Sequence, residues 1–139
     1  MELPIEGSCQ CGQLTFKLFE IPKMVLACHC TECQKLSTSP FSITAIIAST
    51  AIKFKGELKE WSRNADSGNK NSAKFCPTCG NRIYHYNPAD SGTIKLKLKP
   101  VNLANAEIFE PTAHVWVCEK LNWYQIPKGV EVFEKAAFL

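Results

Sequence analysis

Seven of the eight cysteines in this chain fall into three short clusters, which constrain its fold more than any other feature of the sequence. The clusters are Cys9/Cys11, Cys28/Cys30/Cys33 and Cys76/Cys79. Clustered thiols form disulfides, bind metals or take part in catalysis, and a reducing compartment disfavours disulfides. We therefore expect two Zn²⁺ ions bound by cysteine thiolates. Disulfide pairing is the alternative.

The compartment is inferred from the start of the sequence. Residues 1–7 contain Glu2 and Glu6, and they have neither the basic nor the apolar region of a secretory signal. Nowhere does the sequence approach the roughly 18 consecutive apolar residues that suggest a membrane span. We expect a cytoplasmic protein that does not insert into a membrane.

The length of the chain limits the number of domains, and its charge indicates the kind of partner. With 139 residues, 45% of them hydrophobic, we expect a single domain over residues 1–139. The net charge of +3 hints at an acidic partner such as nucleic acid. Seven thiolates on two Zn²⁺ ions would lower this charge by three and leave the protein close to neutral. Arg63 and Arg82 are the only arginines, so nucleic-acid binding is not expected.

Alternation of apolar and polar residues predicts an all-β fold of short, mainly antiparallel strands with little helix. The predicted strands lie at 14–18, 23–28, 41–45, 51–54, 83–86, 93–99, 114–118 and 130–133. The predicted helices are short, at 31–36 and 102–108. Residues 62–72 contain no apolar side chain except Ala65, so we expect an exposed, mobile loop there, either a connector or a lid over a site.

The segment Cys76-Pro77-Thr78-Cys79-Gly80 has the form of a zinc knuckle, in which a tight turn directs two thiolates at one ion. A thioredoxin-type redox motif is the alternative, but it requires a following helix, and residues 81–86 look like a strand. Cys9 and Cys11 supply a second pair, because residues i and i+2 of an extended segment point to the same face. Together the pairs predict a closed Cys₄ site, which is typical of structural zinc.

The middle cluster offers three thiolates within six residues. Three protein ligands and one open position are typical of catalytic zinc. The alternative is a fourth ligand from elsewhere in the chain, and the candidates are His29, His85, His114 and Cys118. A three-thiolate site with an open position loses metal more readily, so we expect partial occupancy of this second ion.

Several other residues with metal-binding or charged side chains have simpler interpretations. His29 lies between two cysteines and would point away from the metal on an extended backbone. We expect His114 to be a structural histidine and Cys118 to be a small buried side chain. The remaining basic residues of note form one solvated face of a predicted strand: Lys95, Lys97 and Lys99.

The order of these clusters resembles that of the glutathione-dependent formaldehyde-activating enzyme family, also called the centromere protein V-like domain family. The resemblance runs from about Gly7 to Phe133. The segments that carry it are Gly7 to Gly12, Cys28 to Cys33, Phe75 to Gly80, and Pro111 through His114-Val115-Trp116-Val117 to Trp123. It implies a tent-like all-β fold with a structural zinc at Cys9, Cys11, Cys76 and Cys79 and a catalytic zinc at Cys28, Cys30 and Cys33.

The resemblance also implies an activity, the joining of glutathione to formaldehyde to give S-hydroxymethylglutathione. In the reverse direction this reaction is that of a carbon–sulfur lyase. Our leading hypothesis is a zinc-dependent enzyme acting on glutathione or a related thiol and on formaldehyde or another small aldehyde, with zinc holding the thiol as a thiolate. The alternative is a non-catalytic zinc-binding module for a protein or nucleic-acid partner.

Overall fold

The computed structural model of the chain describes residues 2–99 and 107–136. Within these residues, a small sheet of three strands packs against a large sheet of eight. The small sheet consists of β1 (Ile5–Ser8), β2 (Thr15–Leu18) and β5 (Ile52–Lys55), in the order β1-β2-β5. Helical structure is short, so the prediction of an all-β fold with little helix is confirmed.

The large sheet contains the strands that position the cysteine triplet. Its members are β3 (Met24–Cys28), β4 (Ser42–Ala48), β6 (Lys59–Asn64), β7 (Lys70–Phe75), β8 (Arg82–Asn87), β9 (Asp90–Leu96), β10 (Ala113–Val115) and β11 (Glu131–Val132). They are arranged in the order β11-β10-β3-β4-β9-β8-β7-β6. Neighbours are antiparallel except that β10 runs parallel to both β3 and β11.

The helices are brief. The α-helix α1 (Thr31–Ser37) follows β3, and short 3₁₀ turns lie at Ser49–Ala51 and Val117–Glu119. No helix in residues 2–99 or 107–136 combines the length and the apolar character that crossing a lipid bilayer requires.

The main hydrophobic core lies between the two sheets. In β2 the side chains of Phe16 and Leu18 are buried, whereas those of Thr15 and Lys17 are exposed, because successive side chains of a strand point to opposite faces. They pack with buried residues of the large sheet, which include Val25, Ala45, Ile47, Ile94 and Leu96. This packing fixes one face of the large sheet and leaves the other to build the site.

Strand pairing determines which side chains share that second face. Lys95 is paired with both His85 and Ile46, and Ala73 is paired with both Trp61 and His85. Between β3 and β4, Cys28 is paired with Ser42, and Leu26 is paired with Thr44. The register therefore brings basic and aromatic side chains from β6, β8 and β9 onto the same face as the end of β3.

The loop expected at 62–72 is confined to residues 65–69, and the residues on either side of it form strands. These residues belong to the hairpin of β6 and β7, whose tip is closed by hydrogen bonds between Ala65 and Asn69 and between Gly68 and Ala65. The Oγ atoms of Ser62 and Ser72 lie 2.8 Å apart across the hairpin. Because β7 also pairs with β8, tertiary contacts stabilise strands that lack an apolar pattern.

The other predicted elements differ mainly at their ends. The predicted strand at 93–99 ends at Leu96, and the one at 114–118 ends at Val115. The predicted helix at 31–36 is present as α1. Of the second predicted helix, residues 102–106 lie outside the described residues.

Candidate metal centres

Two turns of the chain bring four cysteines together. Cys9 and Cys11 lie in the turn after β1, and Cys76 and Cys79 lie in the turn between β7 and β8. All four sulfur atoms lie within 4.8 Å of one another. Gly12 and Gly80 follow the two pairs with φ angles of 83° and 79°, a backbone conformation that favours glycine. We call these residues the Cys₄ group.

The sulfur spacings of the Cys₄ group match a shared metal ion. The Sγ atom of Cys11 lies 3.6 Å from that of Cys9 and 3.7 Å from that of Cys76. Sulfur atoms bound at about 2.3 Å to one tetrahedral zinc stand about 3.8 Å apart, whereas a disulfide requires about 2.0 Å. All eight cysteines of the chain are free. The geometry therefore fits metal binding and not disulfide pairing.

Hydrogen bonds support the thiolate form of Cys76. The side-chain Nε2 of Gln13 donates to its Sγ atom at 3.0 Å, and the backbone N–H of Cys79 donates at 3.4 Å. Burial by itself would raise the pKa of Cys76, but the donors from Cys79 and Gln13 outweigh it and lower that pKa to about 6. Metal binding requires the thiolate, so these donors prepare the site for an ion.

The corner between β3 and α1 brings the other three cysteines together. Cys28 is the last residue of β3, Cys30 is the N-cap of α1, and Cys33 is buried in the helix. The backbone N–H of Cys33 donates to the Sγ atom of Cys30 at 3.3 Å. The three sulfur atoms lie within 4.8 Å of one another and could hold a second ion. We call these residues the cysteine triplet.

In the described part of the chain, none of the four candidate fourth ligands joins the triplet. His29 and His114 are buried and bond to each other, with 2.8 Å between His29 Nε2 and His114 Nδ1. His85 Nε2 lies 3.0 Å from an Arg82 nitrogen. The expectation that Cys118 is buried is wrong, because it lies in an exposed 3₁₀ turn.

The triplet opens onto a pocket of about 780 Å³, whereas no residue of the Cys₄ group lines it. The basic side chains that line this pocket are Lys35, Arg63, Arg82, Lys95 and Lys97. The acidic ones are Glu32, Asp66 and Glu119, and Trp61 and Trp116 add aromatic surface. Because basic groups outnumber acidic ones, the pocket favours an anionic ligand.

Arg82 is fixed between two other side chains of the pocket wall. Its guanidinium carbon lies 5.7 Å from the centroid of the Trp61 ring. Since arginine can only donate, the Nε2 atom of His85 accepts its hydrogen bond, which leaves the imidazole proton on Nδ1. Burial and the positive charges of Lys97 and Arg82 lower the pKa of His85 to about 3. His85 is therefore neutral at physiological pH.

Lys97 has a role that sequence reasoning missed. Its expected place on a solvated face is wrong, because its Nζ atom donates to Thr44 Oγ1 at 2.6 Å and to Ser42 Oγ at 3.1 Å. The same nitrogen lies 3.9 Å from the Sγ atom of Cys33. Hydrogen bonds from Cys28 and Cys30 hold the pKa of Cys33 far below its usual range, and the charge of Lys97 adds to this effect.

Comparison with known proteins relates this arrangement to one family. The family model described as glutathione-dependent formaldehyde-activating enzyme matches residues 4–119, which include both cysteine groups. No curated protein gives a significant match. Among solved structures, a crystal structure of a Rhodobacter sphaeroides protein is similar, with 18% sequence identity and a TM-score of 0.53 over 73% of this chain and 94% of that chain. At this identity the likeness shows a shared fold.

Proposed function

Because the chain belongs to the glutathione-dependent formaldehyde-activating enzyme family, we propose that it is a zinc-dependent enzyme that joins a small thiol to a small aldehyde. The thiol is glutathione or a relative, and the aldehyde is formaldehyde or a similar compound. In reverse, the enzyme acts as a carbon–sulfur lyase. The observation that carries this proposal is that the cysteine triplet lines the large basic pocket and the Cys₄ group does not.

We assign zinc to both cysteine groups on the chemistry of their donors. Sets of thiolates at tetrahedral spacing are typical zinc ligands. The Cys₄ group would hold a structural ion, since its four thiolates fill every position. The triplet would hold the second ion beside the pocket, where zinc supplies the Lewis acidity that keeps a thiol in its nucleophilic thiolate form.

The reaction needs no oxidant or reductant. A carbon–sulfur bond forms between the thiol sulfur and the aldehyde carbon, the electron pair of the C=O π bond moves to oxygen, and this oxygen takes the proton that the thiol has lost. The side chain of Lys95 supplies positive charge to the pocket while the oxygen becomes negative. Because thiols and formaldehyde also combine without a catalyst, holding both reactants in the pocket supplies much of the acceleration.

The basic wall of the pocket supports glutathione as the thiol. Glutathione carries two carboxylates, and a guanidinium group binds a carboxylate through two parallel hydrogen bonds. In Arg82, one terminal nitrogen donates to His85, and the guanidinium carbon lies 5.7 Å from the centroid of the Trp61 ring. The remaining N–H groups are available for a carboxylate of the substrate.

The direct test is the rate of adduct formation above the uncatalysed background. Wild-type protein and Cys118→Ala are expected to accelerate the reaction equally, because Cys118 is outside both groups and outside the pocket. Cys30→Ala should reduce the rate to background. Equal rates for wild type and Cys30→Ala would overturn the proposed activity and favour a non-catalytic zinc-binding module.

A further inference from the structure

We propose that Lys97 is a positioning residue whose ammonium group offsets the negative charge of the cysteine triplet, and that both metal retention and thiol entry depend on it. This inference rests on the proposed function in two respects, namely that the triplet binds a zinc ion and that a thiol enters this site. It assigns a role to a residue outside the cysteine clusters.

The side chain of Lys97 is held in place by two buried hydroxyl groups. Ser42 and Thr44 are 4% and 3% exposed, and both accept hydrogen bonds from the Nζ atom of Lys97. The main-chain N–H of Lys97 donates to the carbonyl oxygen of Ile83 at 2.8 Å. A lysine usually extends its charged end into water. Here hydrogen bonds fix both the backbone and the ammonium group, and the ammonium group lies beside Cys33.

The charge of the loaded triplet explains why a cation is needed there. Three thiolates and one Zn²⁺ ion give the loaded centre a charge of −1. Entry of a substrate thiolate makes the charge −2. Negative charge is costly to keep in a partly buried site unless it is paired. An ammonium group beside Cys33 stabilises the centre at both steps.

Other basic residues of the pocket are placed differently. Within the described residues, the contact between a basic nitrogen and a triplet sulfur is the one from Lys97 Nζ to Cys33 Sγ, at 3.9 Å. Arg82 donates to His85, and Lys95 lines the pocket with an exposed side chain. Lys99 is exposed and does not line the pocket, so it provides a matched control for the loss of one positive charge.

The experiment compares zinc affinity at the weaker of the two sites in wild type, Lys97→Gln, Lys97→Arg and Lys99→Gln, by competition with a chromophoric chelator. Lys97→Gln should lower the affinity at least about tenfold, a modest effect for unit charges about 4 Å apart in a protein. Lys97→Arg and Lys99→Gln should stay near wild type. The zinc affinity of the Cys₄ group should be the same in every variant. This control would show that the fold is intact.

A second readout follows thiol entry. Each variant is loaded with Co²⁺ and titrated with glutathione, and the sulfur-to-cobalt charge-transfer absorption is recorded. Lys97→Gln should require at least about tenfold more glutathione than wild type or Lys97→Arg for the same change.

The outcomes separate this inference from the proposed function. Equal zinc affinity in wild type and Lys97→Gln overturns the role of Lys97. An equal loss of zinc affinity in Lys97→Gln and Lys97→Arg also overturns it, because the geometry of the side chain and not its charge would then matter. If the wild-type triplet binds no metal, both proposals fail. If metal affinity depends on Lys97 but no thiol enters the wild-type protein, the proposed function and the role of Lys97 in thiol entry both fail, whereas its role in metal retention stands.

Discussion

The Sγ atom of Cys11 lies 3.7 Å from that of Cys76, although the two residues are 65 positions apart in the sequence. This contact joins the turn after β1 to the turn between β7 and β8, and it therefore connects the small sheet to the large one. A metal ion at this point would close a long loop of the chain. Closing long loops stabilises a fold because it restricts the unfolded state.

Cys76→Ser should therefore remove one zinc ion per chain and destabilise the fold strongly. Cys76 is fully buried, and it accepts hydrogen bonds from Gln13 and Cys79 that its replacement would weaken. We expect a loss of at least about 3 kcal/mol in the free energy of unfolding. Metal analysis and denaturant unfolding measure the two effects. Cys118→Ser is the control, and an unchanged metal content in Cys76→Ser would contradict the assignment.

Gly7→Ala should destabilise the contact between β1 and β2. A Cβ atom at Gly7 would lie 2.4 Å from two ring carbons of Phe16, which is 1% exposed and has little room to move. Overpacking of this kind costs about 1–3 kcal/mol. Thermal unfolding should show the loss, and Phe16→Leu in the same chain should recover part of it. If the two substitutions prove additive, the proposed clash is absent.

His85 should make stability depend on pH. Its pKa is 6.5 in the unfolded chain and about 3 in the fold, so below pH 6.5 the unfolded state binds a proton that the folded state does not. The free energy of unfolding therefore falls as the pH drops from 6.5 towards 3, by up to about 1.4 kcal/mol per pH unit from this group.

The matched variant is His85→Gln, which keeps a hydrogen-bond acceptor for Arg82 but does not titrate. Denaturant unfolding between pH 6.5 and pH 4 should show a shallower loss of stability in this variant than in wild type. Loss of metal in acid affects both proteins alike, so the difference between the slopes isolates His85. Identical slopes would show that His85 is protonated in the folded protein.

Arg82→Met should impair the use of glutathione but not of a thiol without a carboxylate. Arg82 lines the pocket beside Trp61. Loss of a bidentate carboxylate contact should lower kcat/KM for glutathione by about tenfold or more. The rate with 2-mercaptoethanol should change little. An equal loss with both thiols would mean that Arg82 stabilises the pocket and does not bind the substrate.

The grouping of the cysteines could be predicted because ligand spacing is a local property. Cys76 and Cys79 are brought together by one tight turn, and Cys30 and Cys33 by the start of one helix. Strands with clear alternation, such as β2, are predictable for the same reason, because the pattern reports a half-buried surface directly.

The surroundings of the triplet could not be predicted because they depend on strand register. Lys97 and Thr44 are 53 positions apart, and alternation around Lys97 shows a polar face without showing what it contacts. The strands β6 and β7 could not be predicted because their residues are mostly polar. Pairing with β8 stabilises their hairpin. Cys118 is exposed because the chain leaves β10 at Val115 and enters a 3₁₀ turn.

The most direct test of the proposed mechanism is a crystal structure of the zinc-loaded protein with glutathione. We expect the glutathione sulfur to lie about 2.3 Å from a zinc ion bound by Cys28, Cys30 and Cys33. We also expect a glutathione carboxylate to contact Arg82. A zinc ion at the triplet whose fourth ligand is a protein side chain, with no glutathione sulfur bound, would contradict the proposed mechanism.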